Sequence, residues 1–338
     1  MRKINWGIIG LGNVANRFAG AFKFSNNAKL LGIASKNLNK LNTFREKYLL
    51  DEKYCFNNYE ELIKCKDVDI IYIALPNSLH HKWILKCIDY NKKILVEKPA
   101  TLNFKEISDV QNKLKDKKIF FTEGFMYFFY PQTFKILDLI NKNTIGTLIS
   151  MESNIGSNIL PSFNLFGIEI KKAIKKKKRL FNKELGGGVI LDLGSYVVSF
   201  STLIASMIAN FNKVEIINKT KEIKKGIDID SYAELKFDNG FKSTIRASFT
   251  KDLGNKSIIT GNLGQIIIED TWFASSSYIT IAKDITKRVE INNGKNIYIY
   301  EIESISDCIL QNKLKPNFPG IKIENIVINM KILEDWLR

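Results

Sequence analysis

The sequence predicts an α/β architecture in two domains, a doubly wound parallel sheet over residues 1–122 followed by an α+β domain over residues 123–338. The first reason is the length of 338 residues, since one hydrophobic core rarely serves so long a chain. The second is a series of short Ile-, Val- and Leu-rich runs that alternate with amphipathic helical patterns early in the chain. The third is a later series of strand patterns separated by turn signals such as Asp238-Asn239-Gly240, which predict antiparallel hairpins.

Strands and helices alternate along the first domain. Strands are predicted at residues 4–9, 29–35, 68–75, 92–99 and 117–124. Helices are predicted between them, within residues 10–22 and over residues 38–48, 78–90 and 104–115. Right-handed crossovers place such helices on both faces of a parallel sheet, which is the doubly wound arrangement.

The second domain mixes helices with hairpins. Helices are predicted at residues 131–141, 189–208, 299–312 and 323–337. Strands are predicted near residues 147–155 and within residues 213–220, 231–250 and 257–270. A poorly patterned stretch extends to residue 184, and no internal repeat or low-complexity linker is evident.

The composition predicts a soluble globular protein of the cytoplasm. Hydrophobic residues make up 45% of the chain, and no apolar stretch reaches the roughly 20 residues that span a bilayer, so no membrane association is expected. The N-terminal segment has no small-residue cleavage site, so no signal peptide is expected. The four cysteines lack CxxC spacing, which favours reduced thiols and no metal site.

The net charge of +16 does not predict a nucleic-acid partner, because the lysines are spread along the whole chain. One dense basic run, KKAIKKKKRL, covers residues 171–180. Such a run is typical of a solvated helix face or loop. Its place just before a glycine-rich stretch leaves open a second interpretation, in which it attracts an anionic substrate.

A G-x-G-x-x-A motif follows the first predicted strand and opens a helix. It runs from Gly10 to Ala15. Gly10 permits a tight turn, Gly12 lets a pyrophosphate approach the backbone, and the helix start at Asn13 and Val14 supplies unpaired N–H groups. The strand–helix context favours a dinucleotide site over the alternative, a tight turn without a ligand.

The end of the second strand indicates which dinucleotide binds. An NAD site typically has Asp or Glu there, whereas this chain has Ser35 and Lys36, with Lys40 one helical turn later. A hydroxyl and two cations suit a 2′-phosphate, so NADP(H) is predicted and NAD(H) stays possible. The alternative is that Lys36 and Lys40 are ordinary surface lysines.

Two motifs follow later strands, at the edge of the sheet where open α/β proteins bind ligands. Candidate cofactor contacts in these motifs are Leu75, Pro76, Asn77, His80, Glu97 and Lys98. The alternatives are a surface ion pair for Glu97 and Lys98 and a structural role for His80. Pro99 restricts Lys98 to extended backbone geometry.

The stretch LGGGVILDLGSY carries the candidate acid and base. Asp192 and Tyr196 are four residues apart, which in a helix places both side chains on one face. The glycines at 186–188 are expected to let the backbone approach a substrate closely. The alternative is a helix-capping carboxylate and a half-buried aromatic ring.

Together these motifs resemble the glucose-fructose oxidoreductase, inositol dehydrogenase and rhizopine catabolism family (Gfo/Idh/MocA). The resemblance rests on G-x-G-x-x-A, P-N-x-x-H, E-K-P and GGGVILDLGSY, and it covers nearly the whole chain. It implies an N-terminal Rossmann domain and a C-terminal domain with an open, mainly antiparallel sheet that mediates homo-oligomerisation. It also implies that Lys98 lies by the nicotinamide and the substrate.

Many members of that family have histidine where this chain has Tyr196. The tyrosine is similar to the branch that includes glucose-fructose oxidoreductase, dimeric dihydrodiol dehydrogenases and nucleotide-sugar ketoreductases. Relatives in that branch commonly have Arg at the position of Phe128 and His at the position of Tyr130, so the substrate contacts of this chain are expected to differ.

The resulting hypothesis is an NAD(P)-dependent oxidoreductase acting on a sugar, polyol or nucleotide-linked sugar. Tyr196 moves the proton, and Lys98 favours its phenolate and contacts the developing alkoxide. Asp192 binds the substrate hydroxyl or orients Lys98. The alternatives are a trans-dihydrodiol dehydrogenase and, from another class, a non-catalytic dinucleotide-binding regulator.

Overall fold

The computed structural model describes residues 2–159, 162–165, 168–171, 179–292, 294 and 296–338. The chain divides into two compact units. The first unit comprises Met1–Tyr130 and Gly294–Met330, and the second unit comprises Pro131–Asn293 and Lys331–Arg338.

A six-stranded parallel sheet with helices between its strands forms most of the first unit. Its elements are β1 (Ile4–Ile9), α1 (Asn13–Ala19), β2 (Ala28–Ala34), α2 (Leu38–Tyr48), β3 (Cys55–Phe56), α3 (Tyr59–Lys64), β4 (Ile70–Ile73), α4 (Asn77–Asp89), β5 (Lys93–Glu97), α5 (Phe104–Leu114) and β6 (Phe121–Gly124). The strand order is β3-β2-β1-β4-β5-β6, so the direction of winding reverses between β1 and β4. The doubly wound sheet is therefore confirmed, and its ligand-binding edge lies at the carboxyl ends of the strands.

The second unit contains an eight-stranded sheet. Its elements are α6 (Pro131–Asn141), β7 (Leu148–Gly156), β8 (Ser162–Leu165), β9 (Ile168–Lys171), α7 (Ser195–Ser206), β10 (Val214–Lys224), β11 (Ile227–Phe237), β12 (Lys242–Ser248), β13 (Ser257–Gly261), β14 (Gly264–Ile268), β15 (Tyr278–Ala282) and β16 (Lys287–Glu290). The order is β10-β11-β12-β7-β13-β14-β15-β16, and neighbours pair antiparallel except β12 and β7, which run parallel. The predicted open, mainly antiparallel sheet is confirmed.

Two helices end the chain, α8 (Ile297–Leu310) and α9 (Ile323–Leu337). The prediction placed both in the second domain, whereas the contacts group Gly294–Met330 with the first unit. The reason is that α8 packs beside β1, where the indole N–H of Trp6 donates to Ser306 Oγ at 3.0 Å. The predicted domain bounds were 1–122 and 123–338. The compact units differ from them because residues 294–330 belong to the first unit.

One described helical segment, Lys183–Ser206, is long and apolar enough to cross a bilayer by length and composition alone. Within it, 94% of the most apolar window is buried inside the protein. Core helices of soluble proteins have the same properties.

Candidate active-site residues

The glycine-rich turn after β1 combines a strained position with an open one. Gly10 has φ +90°, and a Cβ there would lie 2.6 Å from the carbonyl oxygen of Ala74, so only glycine fits. At Gly12 no atom of the described residues lies within 4 Å of where a Cβ would stand. The start of α1 also has no side-chain cap within the described chain, so the N–H groups at Asn13 and Val14 suit an anionic ligand.

The segment after β2 presents a small hydroxyl and two exposed lysines. Ser35 is buried, and its Oγ accepts from the backbone N–H of Asn37 at 3.1 Å. The Lys36 ammonium lies 6.0 Å from the centre of the Tyr59 ring. Lys40 is exposed, and its backbone N–H donates to Asn37 Oδ1 at 3.0 Å as part of the helix cap.

A pocket of about 570 Å³ opens beside this segment. Its described lining residues are Lys36, Leu38, Asn57, Asn58, Lys82 and Trp83. None of these six carries a carboxylate, and two carry ammonium groups, which suits a phosphorylated ribose. Lys40 is not among them. Sequence reasoning missed Lys82, because α4 reaches this pocket by packing on α3, where the Trp83 ring lies 5.0 Å from the Tyr59 ring.

The P-N-x-x-H and E-K-P motifs are joined by a buried histidine. His80 is fully buried, with Nδ1 at 2.9 Å from the carbonyl oxygen of Pro99 and Nε2 at 2.8 Å from that of Leu75. Asn77, the first residue of α4, is also buried, and Pro76 precedes it as the N-cap. The structure thus places His80 as a bridge between the two loops.

The Glu97 carboxylate lies close enough to two other carboxyl groups of the first unit to affect their protonation. Glu97 accepts a hydrogen bond from the Tyr72 hydroxyl, so it belongs to a partly buried network. Burial raises the pKa of Glu123 to about 8, with a bond from the Ala100 N–H opposing the rise and the Glu97 charge adding to it. Burial, and then the Glu97 charge, raise the pKa of Glu301 well above its usual range. The sequence indicated only Glu97.

Two of the three consecutive glycines of the second unit, Gly187 and Gly188, pack against their own chain. A Cβ at Gly187 would lie 2.7 Å from three backbone oxygens, among them those of Arg179 and Asn182. Gly188 has φ +114°, and a Cβ there would lie 2.3 Å from Asp228 Oδ1. Glycine is therefore required at Gly187 by the preceding turn and at Gly188 by Asp228, and the close approach of a substrate expected at residues 186–188 stays a prediction.

Asp228, in β11, binds the backbone at the start of the helix that carries the candidate acid and base. Its Oδ2 accepts from the backbone N–H of Ile190 at 2.6 Å. Burial raises the pKa of Asp228, and that bond opposes the rise. Residues Ile190–Gly194 form a π-helical turn that leads into α7. The predicted helix at 189–208 is present, and it begins with a type of turn that is frequent at functional sites.

Asp192 and Tyr196 flank the end of this turn, and both are mostly buried. Asp192 Oδ1 lies 3.2 Å from Nη2 of Arg179, which forms an ion pair with it. The Tyr196 ring lies 5.6 Å from the Trp272 ring, at an interplanar angle of 54°. Sequence reasoning missed Arg179 because it ends the lysine-rich run, and it missed Trp272 because the contact spans distant parts of the chain.

The two departures from the family pattern are buried in the first unit. Phe128 packs against the Phe125 ring with 5.6 Å between centroids, and Tyr130 packs against the Tyr300 ring with 6.4 Å. Both side chains are at most 2% exposed. These aromatic rings pack in the interior of the first unit.

Two further expectations concern cations. Of the lysine run at residues 171–180, residues 172–178 lie outside the described residues. Among the described residues, no three or more His, Cys, Asp or Glu side chains form a group suited to a metal ion.

Two family models match the chain over most of its length. A GFO/IDH/MocA model, described as an oxidoreductase family with an NAD-binding Rossmann fold, matches residues 4–125. The GFO/IDH/MocA C-terminal domain matches residues 134–267.

Curated relatives match nearly end to end. Trans-1,2-dihydrobenzene-1,2-diol dehydrogenase of Xenopus tropicalis is 27% identical over 90% of this chain and 89% of its own length. The enzyme of that name from Mus musculus is 26% identical over 98% of this chain and 95% of its own.

Solved structures show the same fold. Aldose-aldose oxidoreductase from Caulobacter crescentus, complexed with glycerol, superposes with a TM-score of 0.85 at 19% identity, covering 100% of this chain and 97% of that one. KijD10, a 3-ketoreductase from Actinomadura kijaniata in complex with NADP and TDP-benzene, gives 0.81 at 18% identity, with coverage of 98% and 96%.

Proposed function

Because the chain belongs to the GFO/IDH/MocA family of NAD(P)-dependent oxidoreductases, we propose that it interconverts a secondary alcohol and a ketone on a sugar, polyol or nucleotide-linked sugar. The observation that carries this proposal is the placement of Tyr196 beside the Arg179–Asp192 ion pair at a π-helical turn. This arrangement offers a phenol and a carboxylate to neighbouring hydroxyl groups.

The residues around the glycine-rich turn fit a dinucleotide, and we propose NADP(H). The open space at Gly12 and the uncapped start of α1 suit a pyrophosphate. Ser35, Lys36 and Lys82 suit the 2′-phosphate, since no carboxylate among the described pocket residues would repel it. The nicotinamide, when bound, supplies or accepts the hydride.

Tyr196 is proposed to move the proton that accompanies the hydride. Its phenol gives the proton to the substrate oxygen during reduction and takes it back during oxidation. Lys98 is proposed to favour the phenolate and to stabilise the developing alkoxide. Asp192, held by Arg179, is proposed to accept a hydrogen bond from the adjacent substrate hydroxyl, which fixes the reacting carbon in place.

A second candidate is the oxidation of a trans-dihydrodiol. The observation that favours it is the match to trans-1,2-dihydrobenzene-1,2-diol dehydrogenases over 90% of the chain or more. The chemistry at Tyr196, Asp192 and Lys98 would be the same, because both substrates carry adjacent hydroxyls on a ring. The two candidates differ in the polarity of the substrate.

Two properties of the whole protein are proposed with this function. The open sheet of the second unit is proposed to join copies of the chain into a homo-oligomer, which light scattering on the purified protein tests directly. A cytoplasmic location is proposed because all four cysteines are free thiols, as a reducing compartment favours.

A substrate panel tests the proposal. Purified protein is incubated with NADPH or NADH and with ketones of sugars and nucleotide-linked sugars, or with NADP⁺ or NAD⁺ and polyols or trans-dihydrodiols. We expect turnover with at least one vicinal diol and a preference for NADP(H). A strong preference for NAD(H) contradicts the role of Ser35, Lys36 and Lys82. Cofactor binding without turnover of any compound favours the non-catalytic regulator.

A further inference from the structure

The three-residue loop that carries Lys98 is held by ionisable side chains from three different elements. The backbone N–H of Lys98 donates to Glu97 Oε2 at 3.3 Å, and the backbone N–H of Ala100 donates to Glu123 Oε1 at 2.7 Å. Between them, the carbonyl oxygen of Pro99 lies 2.9 Å from His80 Nδ1. Proline has no N–H, so Lys98 and Ala100 supply the two backbone donors of this loop, and a carboxyl oxygen accepts from each.

Glu123 is the more buried of the two carboxyl groups among these partners: it is 4% exposed and comes from β6, the neighbour of β5 in the sheet. A buried carboxyl group costs free energy unless it makes hydrogen bonds, so its contact with Ala100 stabilises both groups. The positive charge of Lys98 lowers the pKa of Glu123 against the effect of burial. Glu123 is therefore tied to the loop by a hydrogen bond, and it lies close enough to Lys98 for the ammonium charge to affect its protonation.

We propose that Glu123 is a positioning residue that fixes the loop of residues 98–100 and thereby the place of the Lys98 ammonium. This inference rests on the proposed function, in which Lys98 acts on the phenol of Tyr196 and on the substrate oxygen. Without an acceptor at residue 123, the N–H of Ala100 loses its partner in a buried place, and the loop shifts to find another. A shift of about 1 Å costs roughly 100-fold in a reaction that depends on alignment.

Two variants at Glu123 test its hydrogen bond with the Ala100 N–H. Glu123→Leu removes the acceptor, and we expect kcat to fall roughly 10- to 100-fold while the KM for substrate and the Kd for NADPH change less than about threefold. Glu123→Gln keeps an acceptor oxygen of the same reach, and we expect it to retain most of kcat. Binding of NADPH is followed by its fluorescence, independently of turnover.

Glu106 offers a matched control in the same stretch of chain. Its Oε2 accepts from the backbone N–H of Leu102 at 2.9 Å, so it also joins a carboxyl group to a backbone donor, four residues beyond Lys98. We expect Glu106→Leu to leave kcat within about threefold of the unchanged protein. An equal loss in Glu106→Leu and Glu123→Leu overturns the proposal, since general loosening of the loop would then explain both.

A double-mutant cycle with Lys98→Met decides whether Glu123 acts through Lys98. The proposal predicts that Glu123→Leu adds no further loss of kcat once Lys98 is replaced. Additive losses overturn it, and so does failure of Glu123→Gln to restore kcat. If Lys98→Met alone leaves kcat unchanged, the role of Lys98 in the proposed function is wrong, which is a different failure.

Glu123→Asp serves if Glu123→Leu does not fold. It retracts the acceptor by one methylene group, and we expect a kcat between those of the unchanged protein and Lys98→Met. Unchanged kcat in a folded Glu123→Asp overturns the proposal. Thermal unfolding of each variant, with and without NADPH, identifies the folded ones.

Discussion

Asp192 has a cationic partner that the sequence motif does not include. The Arg179 side chain is 38% exposed and the Asp192 side chain 13%, so the ion pair reaches from a buried carboxylate toward solvent. A partly buried carboxylate that loses its cation keeps its desolvation cost without compensation. We therefore expect Arg179 to hold the Asp192 side chain oriented toward a substrate hydroxyl.

Replacement of Arg179 tests this role. We expect Arg179→Gln to lower kcat/KM roughly 10- to 100-fold, the effect of losing a hydrogen bond to a charged group, and Arg179→Lys to recover only part of it. Arg246 is the matched control, because it pairs with Asp230 at 3.2 Å with side-chain exposures of 34% and 12%. Arg246→Gln is expected to leave kcat/KM within about threefold, and equal losses in both variants contradict the assignment.

The raised pKa of Glu123 makes the stability of the protein depend on pH. This pKa is raised to about 8 in the folded protein from an ordinary 4.5. Between these two pH values, Glu123 is therefore protonated in the folded protein and ionised in the unfolded chain. The resulting cost is absent below about pH 4.5, grows by up to about 1.4 kcal/mol per pH unit, and levels off above about pH 8.

The variant Glu123→Gln lacks this titration. Its free energy of unfolding, relative to that of the unchanged protein, is expected to rise between pH 5 and pH 8. Urea unfolding at several pH values measures the difference, with Glu106→Gln as the control. A difference that is constant over this range contradicts the raised pKa.

The helices α1 and α7 each follow a glycine-rich stretch, but they begin in different ways. At α1 the helix begins at a turn with open space, whereas α7 is preceded by a π-helical turn whose first N–H groups bind Asp228. Both glycine-rich stretches were evident in the sequence, but glycine is needed in them for different reasons. The conformation at Gly188 depends on Asp228, whose place is fixed by the folding of β11, so the local sequence could not reveal it.

The two glycines before α1 separate folding from binding. Gly10→Ala is expected to destabilise the protein by several kcal/mol, because φ is +90° and the new Cβ meets the Ala74 carbonyl oxygen. Gly12 has φ −93° and open space, so Gly12→Ala is expected to keep the melting temperature within a few degrees while weakening NADPH binding about tenfold or more. Normal NADPH affinity in Gly12→Ala contradicts a pyrophosphate at this turn.

The elements that sequence periodicity missed are mainly short. β3 has two residues and α3 has six, too few to show a period. The π-helical turn was predicted as ordinary helix, because its apolar pattern is that of a buried helix. The long, strongly patterned elements were found close to their bounds, with α2 and α6 matching the predicted residues.

At the scale of the whole molecule, the sequence predicted the family, the fold class and the type of reaction, and these are confirmed. It could not predict that Gly294–Met330 returns to the first unit, because the contact of Trp6 with Ser306 joins residues 300 positions apart. The same limit applies to the contact between Glu123 and Ala100, which depends on the pairing of β5 with β6. The sequence motifs indicated the candidate catalytic residues, whereas the residues that contact them from distant parts of the chain became evident only in the folded structure.

The variant Tyr196→Phe tests the proposal that this oxidoreductase uses Tyr196 as its acid and base. Phenylalanine keeps the ring that packs against Trp272 and removes only the hydroxyl. With the best substrate from the panel, kcat is expected to fall roughly 100- to 10,000-fold, while the Kd for NADPH and the melting temperature stay unchanged. Turnover equal to that of the unchanged protein would show that Tyr196 is not the acid and base.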